Sequence, residues 1–119
     1  MAIPTNIVLE DSYVLGWKFS NHSFHMIGEF RNIDLEPNPP PKLRDELYFK
    51  WEIGELIFTG LKSAKISELS LISGKDGEFD FGSPDIVIGK DEIRIELSQG
   101  YCVLTGRQIK IDYLTQGKV

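Results

Sequence analysis

A two-residue alternation of apolar and polar side chains governs most of this chain and leaves little room for helix. Tyr13, Leu15, Trp17 and Phe19 alternate with Ser12, Gly16, Lys18 and Ser20, so the first four share one face of an extended ribbon. Asn21-His22-Ser23 turns the chain, and Phe24, Met26, Gly28 and Phe30 then alternate with His25, Glu29 and Arg31. Two such runs around polar turn residues predict an antiparallel hairpin. A third run sets Leu47, Phe49, Trp51 and Ile53 against Tyr48, Lys50 and Glu52 and reaches Gly54. A tight turn is expected there, before Glu55-Leu56-Ile57-Phe58-Thr59.

The second half repeats the theme. Residues 64 to 72 carry Ile66, Leu69, Leu71 and Ile72 among serines, a weaker strand pattern, and Gly74-Lys75-Asp76-Gly77 is a turn sequence. Ile86-Val87-Ile88, Ile93 to Leu97, Tyr101 to Thr105 and Ile109 to Tyr113 follow as short runs. Gly89-Lys90-Asp91, Gln99-Gly100 and Gly106-Arg107 punctuate them. The pattern predicts an all-β antiparallel sandwich or barrel of about eight strands. Pro37, Pro39, Pro40 and Pro41 cannot join a ladder, so residues 34–46 read as the longest loop, with room for one short helix near 42–48. No fixed-period repeat is present.

Length and charge narrow the partners. With 119 residues the chain makes one domain, 1–119, and its single cysteine, Cys102, excludes an intrachain disulfide. The net charge of −5 argues against nucleic acid, which calls for clustered Lys and Arg. Residues 1–60 hold five basic and nine acidic side chains against eight and nine in 61–119, so the surplus negative charge lies in the first half. No run of about 18 apolar residues occurs, and Met1 to Asn6 carries no basic residue, so neither a membrane span nor a targeting signal is expected. The expectation is a cytoplasmic protein.

Few residues suggest chemistry. His22 and His25 form an H-x-x-H pair but lack a third ligand at a recognisable spacing. Asp76, Glu78 and Asp80 alternate before Asp85 in a calcium-like array. Counted from Asp76, however, the sixth position is Phe81 and the twelfth Val87, where an EF-hand needs Gly and Glu. Asp80-Phe81-Gly82 matches the kinase tripeptide in letters only, and no phosphate loop, nucleophile elbow or paired C-x-x-C exists. Cys102, between Tyr101 and Val103, reads as a small buried hydrophobe. Trp17 and Trp51 share a pattern with Phe19, Phe49 and Leu47 that suits a core or, in a barrel, a ligand cavity. No catalytic residue, metal or cofactor is expected.

The chain resembles a family of small, uncharacterised, immunity-protein-like bacterial all-β proteins. The resemblance rests on Leu9-Glu10-Asp11-Ser12-Tyr13-Val14-Leu15 with Trp17, the proline-rich loop, Gly54-Glu55-Leu56-Ile57-Phe58, Asp80-Phe81-Gly82 and the closing strands around Gly100 and Gly106. It implies a bacterial protein without a catalytic motif. The leading expectation is a non-enzymatic protein-binding module, an immunity- or antitoxin-like inhibitor of a basic toxin, with Asp34, Glu36, Asp45 and Glu46 as partner-binding residues. A small-ligand carrier of β-barrel type is the alternative. An enzyme would need His22, His25, Asp34, Glu36 and Asp45 to converge around the long loop.

Overall fold

A computed structural model describes residues 2–20, 22–37, 48–67, 72–73 and 79–116, with the side chains of 72, 73 and 79 excepted. Among the described residues ten strands run in the order β1 (Ile7–Ser20), β2 (Ser23–Asn32), β3 (Trp51–Thr59), β4 (Ser63–Ile66), β5 (Ile72–Ser73), β6 (Phe79–Asp80), β7 (Asp85–Ile88), β8 (Glu92–Leu97), β9 (Gly100–Thr105) and β10 (Lys110–Thr115). A 3₁₀ turn, Ile33–Leu35, follows β2, with Asn32 Oδ1 accepting the Asp34 N–H at 3.0 Å. The expected helix near 42–48 lies outside the described residues except for Tyr48, as do the turn at 74–77 and most of the proline-rich loop.

Two four-stranded antiparallel sheets carry the fold, ordered β1-β2-β3-β10 and β4-β9-β8-β7, with β5 and β6 as a separate pair. The sheets do not close into a barrel, so the architecture is the sandwich. Their inner faces meet in one cluster: Val14, Phe24, Met26, Phe30, Leu56 and Phe58 from the first sheet, and Ile93, Ile95, Cys102 and Leu104 from the second. Each fully buried side chain of this size contributes roughly 1.5–3 kcal/mol, and the interdigitating rows hold the sheets face to face. Burial pushes the Cys102 thiol up to about 11, as its place in the core demands.

The period-two reading holds along β2, β8 and β9 and fails at two points in the first sheet. Tyr13, Leu15, Trp17 and Phe19 do not share a face. Val14 pairs with Gly28 and Gly16 with Ile27, so Leu15 is an extra residue, a bulge that inverts the alternation. Val14 therefore points inward while Tyr13 and Leu15 are exposed, and beyond the bulge Trp17 turns inward opposite Met26. Trp17 packs edge-on to Phe81 at 4.7 Å, whereas Trp51 pairs with Arg31 on the outer face, so the two tryptophans line no common cavity.

Gly54 is not a turn. β3 runs straight through it, with Gly28 opposite on β2 and Thr115 on β10. The glycine is there because the Tyr113 ring lies over its backbone: a Cβ would stand 2.6 Å from Tyr113 Cζ. Tyr113 is held by Phe30, edge-on at 5.5 Å, and donates its hydroxyl to Glu52 at 2.7 Å.

Candidate functional site

An open groove on the described surface begins with an irregularity in β1. Ile7 and Val8 pair with Asn32 and Arg31, but the next partners are Tyr13 and Glu29, so five steps along β1 match two along β2. Ser12 fills the gap in the ladder. Its hydroxyl donates to Val8 O at 2.6 Å and accepts the Arg31 N–H at 3.0 Å, and the residue is wholly buried. Asp11 is tied down beside it, since its carbonyl accepts Trp51 Nε1–H at 2.7 Å and its carboxylate accepts Arg31 Nη1–H at 2.8 Å. With 11 and 12 anchored, Leu9 and Glu10 bow out of the sheet.

On the other side of β1 the chain departs in the second direction. Phe81 N–H donates to Val14 O at 2.8 Å and Val14 N–H to Gly82 O at 2.9 Å, which fastens the residues after β6 to the β1 edge. Pro84 has no N–H to continue that ladder, and β7 joins the other sheet. The diverging edges leave an open groove of about 670 Å³ between residues 3–10 and 83–86. Ile7, Leu9, Pro84 and Ile86 give it an apolar floor, and among the described residues its charged lining side chains are Glu10 and Asp85, both exposed carboxylates on opposite walls. A smaller opening of about 230 Å³ lies at the far end, between Phe19, His22, Leu61 and Lys62.

The residues singled out from sequence are dispersed. Asp34 is exposed on the 3₁₀ turn. Glu36 is committed within the fold: it accepts Nε–H and Nη2–H of Arg31 at 2.9 and 2.8 Å and the Lys50 N–H at 3.1 Å, while Phe49 lies 3.4 Å beneath the guanidinium. Asp45, Glu46, Asp76 and Glu78 lie outside the described residues. Asp80 is buried and accepts the Gly82 N–H at 2.7 Å. His22 sits at the β1–β2 turn with φ +59°, its Nδ1 at 3.0 Å from Leu61 O. It therefore occupies the opposite end of β2 from Asp34 and Glu36, separated by the ten residues of that strand, so the enzyme-like convergence does not form.

His25 points to the outer face of the first sheet, where its Nδ1 meets Glu55 at 3.5 Å and its Nε2 meets Ser23 Oγ at 3.4 Å. Lys18 shares the Glu55 carboxylate at 3.3 Å. Both histidine contacts are at the outer limit of hydrogen bonding. Among the described residues no three His, Cys, Asp or Glu side chains gather as metal ligands.

A polar network that the alternation gave no hint of closes the groove end of the interior. Glu52 accepts from Asn32 at 2.9 Å, Tyr113 at 2.7 Å and Thr115 at 3.2 Å, and Asn6 donates to Asn32 at 3.2 Å. Burial by itself would raise the Glu52 carboxyl, but the three hydrogen bonds together outweigh it and hold the group below the usual carboxylate range. Glu36 is lowered too, first by its Arg31 hydrogen bond, against its burial. A carboxyl lowered only in the fold stabilises it above the ordinary value of 4.5, and that stability is lost as pH falls through the depressed value. The melting temperature should therefore drop as pH falls below 4.5, and Glu52→Gln should flatten part of the drop. A melting profile level between about pH 5 and 3 would contradict this assignment.

Of the residues lining the groove, Asp85 enters the sequence reading only at the end of the calcium-like array, and Glu10 and Ile86 carry no site reading there. The partial signals are Glu10-Asp11, which precede the alternation that starts at Ser12, and Pro84, which directly precedes Asp85 and the apolar Ile86-Val87-Ile88.

The chain matches no known protein-family model, and comparison with curated proteins and with solved structures finds none similar to it. The resemblance to small bacterial all-β proteins thus rests on the sequence residues alone. Among the described residues no helix is long and apolar enough to cross a membrane.

Proposed function

We propose that this chain is a non-enzymatic protein-binding module, of the immunity- or antitoxin-like kind, that receives a basic partner at the open side of the sandwich. The observation that carries this reading is the groove itself: an apolar floor between two exposed carboxylates, Glu10 and Asp85, with no cationic side chain among the described residues that line it. Apolar contact supplies affinity there, and charge opposite to the partner's speeds encounter and sets orientation. The net charge of −5 acts in the same sense over a longer range. The alternative of a β-barrel carrier has no closed barrel to stand on, since the space between the sheets is filled by Phe30, Phe58, Met26 and their neighbours.

The test is affinity capture from a lysate of the source cell at low salt, with Glu10→Lys/Asp85→Lys as the comparison. A basic protein should be retained by the wild type, released by added salt, and retained at least about tenfold less by the variant. Absence of any partner, or equal capture by both proteins, would overturn the reading.

A further inference from the structure

The second wall of the groove is a sheet edge, and its backbone says what it can hold. In the order β4-β9-β8-β7, β7 is the last strand. Gly89 N–H donates to Glu92 O at 2.7 Å as the β7–β8 hairpin closes, so the Gly89 N–H faces β8. Peptide groups alternate sides along a strand, and Asp85 and Val87, paired with Glu96 and Arg94, therefore also face β8. Ile86 and Ile88 direct their N–H and C=O groups the other way, off the edge of the sheet that begins at the groove with Ile86, and no backbone partner meets them among the described residues.

We propose, resting on the reading above, that the partner enters as an extended segment that adds to β7 as a fifth strand of the second sheet. The four backbone groups of Ile86 and Ile88 that meet no partner among the described residues supply the ladder. Side chains of the added strand alternate, so one set covers the apolar floor of Ile7, Leu9 and Ile86 while the other reaches outward. Glu10 and Asp85 flank the path from both walls, which selects Lys or Arg at the outward positions. The bulge at residues 9–12 is what makes room: with β1 held straight against β2, Leu9 and Glu10 would not bow out to form the opposite wall. The segment recognised is thus one of alternating apolar and cationic residues without proline.

The probe is a short synthetic peptide alternating valine and lysine, titrated against the full chain and followed by amide hydrogen exchange. Saturable binding is expected, with exchange at Ile86 and Ile88 slowed at least about tenfold, since a laddered amide exchanges only on opening. A valine–glutamate peptide, a valine–lysine peptide N-methylated at alternate residues, and the Glu10→Lys/Asp85→Lys protein should each bind at least about tenfold more weakly. Melting temperatures should show the variant folded. If the N-methylated peptide binds equally, strand addition is wrong, although capture of a basic partner could still hold. Failure of the valine–lysine peptide to bind also overturns it. Slowing of the same amides that grows with protein concentration in the absence of peptide would overturn it in favour of a second copy of the chain.

Discussion

Gly54→Ala will destabilise the fold by about 3 kcal/mol, although alanine is intrinsically the better strand residue. The sign is set by the Tyr113 ring, which occupies the space a Cβ would need, with Cζ at 2.6 Å. The ring cannot yield cheaply. Phe30 abuts it at 5.5 Å, and moving it breaks the 2.7 Å hydrogen bond to Glu52. Overpacking contributes about 1–3 kcal/mol and the weakened carboxylate contact a similar amount, together far above the roughly 0.5–1 kcal/mol that backbone propensity returns. Urea denaturation measures it through the midpoint. In a Tyr113→Val background the same change should cost under about 0.5 kcal/mol, since residues in contact couple and the contact is then gone. A wild-type midpoint for Gly54→Ala would show that the tyrosine does not lie where described.

Ser12→Ala will cost a similar amount, about 3 kcal/mol, for a different reason. The hydroxyl sits between two facing groups of the β1–β2 ladder, donating to Val8 C=O and accepting from Arg31 N–H, in a wholly buried position. Alanine fits the space but removes both hydrogen bonds, at about 1–3 kcal/mol each. The Arg31 amide should then exchange much faster than its β2 neighbours, and the stretch from Val8 to Ser12 should loosen. Unchanged exchange at Arg31 would mean that the hydroxyl is not part of the ladder.

These two sites also show what the alternation could and could not reveal. Strand identity was legible because a half-buried ribbon must alternate, and Ile93 and Ile95 or Cys102 and Leu104 point inward as the pattern requires. A bulge leaves no such mark. The side chains of Tyr13 to Phe19 alternate regularly, and only the pairing partner on β2 reveals that Leu15 is supernumerary. Gly54 misleads for a related reason: glycine signals either a turn or a close approach, and the residue approaching it, Tyr113, is 59 positions away in the chain. The acidic residues expected to meet a partner stand in and beside the long loop, but Glu36 satisfies Arg31, a contact set by the fold and not by local spacing. The groove was hidden because it is made by two edges parting, and divergence of edges has no sequence period.

The slack in β1 between Val8 and Tyr13 has a wider consequence. Pairing resumes in register on both sides of it, so residues gained or lost there would be absorbed locally and would not slide the aromatic rows of the interior. That stretch acts as an adjustable spacer: an insertion or deletion there would widen or narrow the cleft while leaving the same two sheets unaltered.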